Sequence, residues 1–138
     1  MIYRRQISVE FNHCDPAGIV FYPRYFEMTN SVVENFFLDV VQYPYARIAM
    51  VEKAGVPTVR IDANFKSPCR LGEKLEFSLQ IKRIGRSSVN FWLVCACLQD
   101  ARMTADLTLV WVTPDGRSAP WPQAIRDPMT AFMNGTAE

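Results

Sequence analysis

The segment HCDPAGIVFYPRYFE, residues 13–27, holds the groups best suited to do chemistry. Asp15 lies in a run of turn formers, Asn-His-Cys-Asp-Pro-Ala-Gly at 12–18. A helix is predicted to follow from Pro23, since a first helical residue has no intrahelical use for an N–H. A helix start presents unpaired N–H groups and a partial positive charge. Pro23 has no N–H, so the amide of Tyr22 becomes the donor aimed out of that start. A carbonyl held against it is polarised, and a tetrahedral oxyanion there gains about 3–4 kcal/mol by analogy with comparable oxyanion sites. Asp15, on the same loop, is a carboxylate able to attack such a carbonyl or to activate water. Gly18 would let the backbone approach a substrate closely. A second account of Asp15 competes with the catalytic one: Asp before Pro commonly opens a turn by bonding the backbone ahead.

His13 is the single histidine of the 138 residues, which excludes multi-His metal sites. An imidazole two residues from Asp15 can relay a proton, but a hydrogen-bonded structural role is the commoner fate of a lone histidine and is the one expected. Fifteen Lys plus Arg against 14 Asp plus Glu give a net charge of +1, without the basic footprint of a nucleic-acid binder. No cluster of like charges marks a membrane-surface helix. A hydrophobic content of 49% suffices for a real core, and the length suits a single domain over residues 1–138. The N-terminal arginines have no apolar run behind them, which argues against a secretory signal, and no stretch reaches the ~20 apolar residues of a membrane-spanning helix. Cys14, Cys69, Cys95 and Cys97 do not fall in paired CxxC form and read as reduced core thiols of a cytoplasmic protein.

The positioning elements follow from periodicity. Residues 2–11 alternate as a half-buried strand. From Pro23, Phe26, Val33, Phe37 and Val40 recur at helical spacing, with Val32 and Phe36 widening the stripe. Residues 44–54 predict a second, shorter helix ended by Gly55. Strands are predicted over 56–66, 74–84, 87–98 and 104–113, with a tight connection at Gly85-Arg86 and a turn at Pro114-Asp115-Gly116. A short helix near 123–133 closes the chain. Consecutive strands with short connections imply an α+β domain: a mainly antiparallel sheet with the long helix covering one face. Phe91, Trp92 and Trp111 on these strands suit a core or a subunit interface better than base stacking, because no basic residues interleave with them.

The run Asp-Pro-Ala-Gly-Ile-Val-Phe-Tyr-Pro, Asp15 to Pro23, resembles the signature of 4-hydroxybenzoyl-CoA thioesterase and its relatives in the hotdog superfamily. Phe65-Lys66-Ser67-Pro68 with Gly72, and Ile84-Gly85-Arg86-Ser87-Ser88 at a hairpin, also fit, so the resemblance covers about residues 3–113. It implies a five-stranded antiparallel sheet wrapped around one long helix, assembly as dimers or dimers of dimers, and hydrolysis of acyl-CoA thioesters of aromatic or short acyl groups. It assigns the catalytic roles to Asp15, as nucleophile or general base, and to the Tyr22 backbone N–H. No cofactor or metal is implied, CoA being part of the substrate. Asn30 is read either as a buried amide on the helix face that meets the sheet or as a contact to the acyl group. Hydroxybenzoyl-specific enzymes look acidic at that helix position, so asparagine weighs against a hydroxyl-bearing substrate. Arg86 and Ser88 are candidate grips for CoA phosphates, against a plain hairpin with a solvated arginine. Two other activities remain open: a hydratase or dehydratase of acyl thioesters, which wants a positioned acid–base pair, and a non-catalytic acyl-CoA-binding module.

Overall fold

A computed structural model describes residues 1–135. Five strands, β1 (Tyr3–Ser8), β2 (Thr58–Phe65), β3 (Lys74–Ile84), β4 (Ser88–Cys97) and β5 (Asp100–Val110), form one sheet in the order β1-β3-β4-β5-β2. Every neighbouring pair is antiparallel. The helix α1 (Pro23–Phe36) lies on the inner face, and α2 (Gln123–Met133) packs beside its end. This is the architecture the strand order and the resemblance predict. β5 begins at Asp100, four residues before the predicted start, because a two-residue turn with left-handed Leu98 and Gln99 brings the chain straight back onto β4.

The three central strands alternate as their sequences require. Leu75, Phe77, Leu79 and Ile81 of β3, Val89, Phe91, Leu93, Cys95 and Cys97 of β4, and Met103, Leu107 and Leu109 of β5 are buried on one face. α1 covers them with a stripe of Tyr25, Met28, Thr29, Val32, Val33 and Phe36. That stripe is rotated from the predicted one, leaving Phe26 and Val40 only half-buried. At its centre the Phe36 ring stands edge-on to Tyr3, Phe37, Phe91 and Phe132 at 5.0–6.0 Å. Such aromatic contacts add to the burial of the rings.

Past Phe36 the helix widens into a π-helical turn, Phe37–Val41, and stops at left-handed Gln42. The predicted second helix is likewise one short π-helical turn, Arg47–Val51, stopped near left-handed Lys53. Cys69, Cys95 and Cys97 are buried free thiols, as expected, while Cys14 is half-buried. Trp111 is buried against Trp121, and Trp92 lies half-buried on the outer face beneath Lys82. Among the described residues no helix is long and apolar enough to cross a membrane.

The segment 66–73 crosses from β2 to β3 under a polar clasp. Arg102 forms a two-pronged ion pair with Glu73, 2.9 and 3.1 Å, and also donates to the Pro68 carbonyl and to Asp100. Glu73 in turn accepts the Arg70 N–H at 2.7 Å. These donors, Arg102 first, hold the Glu73 carboxyl down at about 2, against an ordinary 4.5. The pair's contribution to stability is therefore complete above about pH 4.5 and is lost as the pH falls towards about 2. Glu73→Gln should flatten this part of the acid dependence. Urea midpoints measured between about pH 5 and pH 2.5 should fall less steeply for the variant than for the wild type. Parallel curves would mean that Glu73 is not held as described.

Candidate active site

Asp15 is fixed by a miniature hairpin. Cys14 and Val20 bridge, the Asp15 N–H donates to the Ile19 carbonyl at 3.0 Å, and the Gly18 N–H donates to the Asp15 carbonyl at 3.0 Å. Pro16 sits where its fixed φ suits a tight turn, and Gly18 takes a left-handed φ of 78° that closes it. No heavy atom lies within 4 Å of a Cβ placed on Gly18. Backbone conformation, rather than a close approach within the chain, is thus what requires this glycine. Both accounts of Asp15 find something here. Its Oδ1 accepts the Ala17 N–H at 2.9 Å, which is the turn-forming role. Its Oδ2 has no partner among the described residues, and Asp15 lines a hollow of about 580 Å³ with Phe11, Cys14, Pro16, Gly18 and Leu71.

Tyr22 caps α1, with Pro23 as first helical residue. The neighbouring amides are engaged: Phe21 donates to the His13 carbonyl, Arg24 to Phe21 and Tyr25 to Tyr22. The Tyr22 N–H has no acceptor among the described residues, as the missing N–H of proline led us to expect. Tyr22 is 60% exposed, and its ring stands edge-on to Phe21 and to Phe65 at the end of β2. Tyr22, Tyr25, Phe65, Lys66, Ser67 and Pro68 line a second hollow of about 280 Å³. The two hollows share no lining residue, and the segment 66–71 supplies a wall to each.

The remaining sequence candidates fare differently. His13 accepts the Glu10 N–H on Nδ1 at 2.8 Å and lines a separate groove with Arg5 and Glu27. It is the structural histidine that was expected. Asn30 is exposed, one residue and about 100° round the helix from buried Thr29. The buried-amide account of Asn30 is overturned, because the stripe that meets the sheet is turned away from it. Arg86 is exposed and Ser88 half-buried at the start of β4, paired with the end of β5. Asp15 and Tyr22 lie at the opposite end of the sheet, where Phe65 pairs with Met103 and Met103 with Cys95. From Ser88 to Cys95 is seven residues, or about 23 Å of strand. One chain therefore does not bring Arg86 and Ser88 to Asp15.

Two groups escaped the sequence analysis. Arg126 of α2 donates twice to the Gly85 carbonyl, at 3.1 and 3.3 Å, putting a second cation beside Arg86. The Arg102–Glu73 pair holds the segment that walls both hollows. Neither carries a local signal, since each partner lies far away in sequence. Burial pushes the Tyr25 hydroxyl well above the ordinary tyrosine range, keeping it neutral where it accepts the Cys69 N–H at 3.3 Å.

Comparison with known proteins bears on the family and the fold. The family model described as the thioesterase-like superfamily matches residues 9–129. The 4-hydroxybenzoyl-CoA thioesterase of Pseudomonas sp. (strain CBS-3) is 33% identical over 85 residues, and the match spans 60% of this chain and 60% of that protein's length. Among solved structures, a 1,4-dihydroxy-2-naphthoyl-CoA thioesterase from Synechocystis superposes with a TM-score of 0.86 at 18% identity, covering 94% of this chain and 96% of the other. A 4-hydroxybenzoyl-CoA thioesterase mutant complexed with 4-hydroxybenzoyl-CoA superposes at 0.85 with 24% identity, covering 93% and 98%. The fold is thus the hotdog fold.

Gly18→Ala should destabilise the protein by about 1–2 kcal/mol through the left-handed backbone alone, there being no steric clash. Gly18→Asn should cost less. Urea unfolding of both variants tests this, and an equal or larger loss for asparagine would contradict it.

Proposed function

The chain belongs to the thioesterase-like superfamily, and from that membership we propose that it is an acyl-CoA thioesterase, hydrolysing an acyl-CoA to a free acid and CoA. One observation carries the proposal: a carboxylate with an unengaged Oδ2 stands on the same short hairpin as the approach to an unpaired helix-start amide. In the proposed reaction the Tyr22 N–H donates to the thioester oxygen and stabilises the oxyanion as it forms. Acting as general base, Asp15 takes a proton from water while the hydroxyl adds to the carbonyl carbon. Collapse of the intermediate breaks the carbon–sulfur bond, and the proton passes to the departing thiolate. Acting as nucleophile, Asp15 forms an anhydride and releases the thiolate, and water then cleaves the anhydride. Neither route calls on a metal or cofactor, and we assign the reaction to the cytoplasm.

We favour an aromatic or short acyl group. The rings of Tyr22, Tyr25 and Phe65 wall one hollow, and the relatives named above act on aromatic thioesters. Gly18 lines the acid's hollow, where it would border the bound thioester. Asn30 faces away from the sheet, where it can touch an acyl group only if something covers that side of α1. Arg86 and Ser88, joined by Arg126, are proposed to bind CoA phosphates.

That role requires a second copy of the chain. β2 is an edge strand exposed along almost its whole length, with Val59 58% and Phe65 48% accessible. An open apolar edge invites pairing. If two copies of β2 pair antiparallel about a twofold axis, the Asp15 end of one sheet meets the Arg86 end of the other. We therefore propose a homodimer, alone or as a dimer of dimers, with each site built from both chains. The hydratase alternative is the weaker reading, because His13 lines a groove apart from the hollow of Asp15.

Thiol release from a panel of benzoyl, phenylacetyl and short aliphatic CoA esters tests the activity. Asp15→Asn should lower kcat on the best ester by about a hundredfold or more with the circular dichroism unchanged. Tyr22→Phe should stay within about threefold of wild type, since the donor is backbone. An undiminished rate in Asp15→Asn would remove the acid from the mechanism. Binding of CoA esters without any thiol release would instead identify a binding module. Sedimentation at micromolar concentration should give a dimer or tetramer, and a monomer would overturn the shared site.

A further inference from the structure

The hairpin that carries Asp15 is outside the main sheet, and its hydrogen bonds lead to one place. The Val20 N–H donates to the Cys69 carbonyl at 2.9 Å, and the Leu71 N–H donates to the Gly18 carbonyl at 2.9 Å. Ile19 bridges Arg70, and the Tyr25 hydroxyl near the start of α1 accepts the Cys69 N–H. The hairpin and the first turn of α1 thus take their position from the segment 66–73.

That segment is held on its far side by Arg102. The Arg102 carbonyl accepts the Lys66 and Ser67 N–H groups at 2.8 and 3.3 Å. Its guanidinium reaches the Pro68 carbonyl and both oxygens of Glu73, and Glu73 accepts the Arg70 N–H. Three of the eight residues in the segment are therefore tied to this one side chain or to the carboxylate it grips: Pro68 and Glu73 directly, and Arg70 through Glu73. Cys97 approaches the same carboxylate from β4 at 3.7 Å. The Arg102 side chain is only 13% exposed. A planar guanidinium suits this role, because its fork fixes direction as well as distance where an ammonium fixes neither.

We infer that Arg102, acting through Glu73 and the segment 66–73, is a positioning residue that sets the Asp15 hairpin against the start of α1. It touches no substrate. Its effect on turnover rests on the thioesterase proposal, whereas its effect on the hairpin does not. Displacing reacting groups by about 1 Å can cost on the order of a hundredfold in rate, so a loosened hairpin should lower kcat while KM stays nearly constant.

The experiment compares wild type with Arg102→Met, Arg102→Lys and Asp15→Asn in thiol release and in amide hydrogen exchange. Arg102→Met should lower kcat by about tenfold to a hundredfold, with KM within about threefold. Arg102→Lys, which keeps the charge but not the fork, should recover part of that loss. The Val20 and Leu71 amides should exchange at least about tenfold faster in Arg102→Met, while those of Phe91 and Leu107 in the central strands keep their wild-type protection. A folded Arg102→Met with wild-type kcat and wild-type protection at Val20 and Leu71 would overturn the inference, even with a lowered Tm. Should Arg102→Met not fold, the same two readouts on Arg102→Lys decide, with unchanged kcat and protection counting against it. Should the wild type cleave no thioester, the proposed activity fails, and the exchange rates alone decide whether Arg102 holds the hairpin.

Discussion

Two backbone hydrogen bonds, Val20 to Cys69 and Leu71 to Gly18, hold the Asp15 hairpin to the body of the protein. The hairpin is too short to stand alone, since two short antiparallel arms bury almost nothing of their own. Its turn is closed internally by Gly18 and by the Asp15 carboxylate. Where the turn points is a different matter, settled by the crossing segment between β2 and β3 and by the Arg102–Glu73 pair behind that segment. The Asp15 hairpin is therefore anchored through a polar clasp as well as through Val20 and Cys69 of the apolar core.

The core has a separate task. The alternating faces of β3, β4 and β5 demand a cover, and α1 supplies it with Tyr25, Met28, Thr29, Val32, Val33 and Phe36. Burying that stripe fixes the direction of the helix axis, and with it the direction of the unpaired Tyr22 N–H. Tyr25 joins the two systems. Its ring packs in the core and its hydroxyl accepts the Cys69 N–H from the crossing segment. Helix start and acid are thus referred to the same few residues, which is what a reaction needing both requires.

The single chain leaves other parts apart. The turn bearing Arg86, Ser88 and the Arg126 contact lies at the far end of the sheet from Asp15, and β2 presents an unpaired edge between the two ends. On the proposed twofold pairing these facts have one explanation, since antiparallel edges join opposite ends of two sheets. The exposure of Phe65, Val59 and Ile61 is then the surface of an interface.

Read alone, the chain determined whatever depends on neighbours in sequence. Alternation placed β3 at 74–84, matching the observed bounds, and the short helix expected near 123–133 is found there. The Asp-Pro-Ala-Gly turn and Pro23 located the acid and the amide, because turn chemistry and a missing N–H act within a few residues. Tertiary structure decided what depends on residues far apart. It set the rotation of α1, which turned Asn30 outward and Thr29 inward, because the stripe that meets the sheet runs through Tyr25, Met28, Thr29, Val32, Val33 and Phe36. It decided that Arg102 meets Glu73 across 29 positions and that Arg126 meets Gly85 across 41. It separated Arg86 from Asp15 by most of a strand, a distance no motif carries. Local backbone preferences are written residue by residue, but packing and long-range charge pairing belong to the folded chain as a whole.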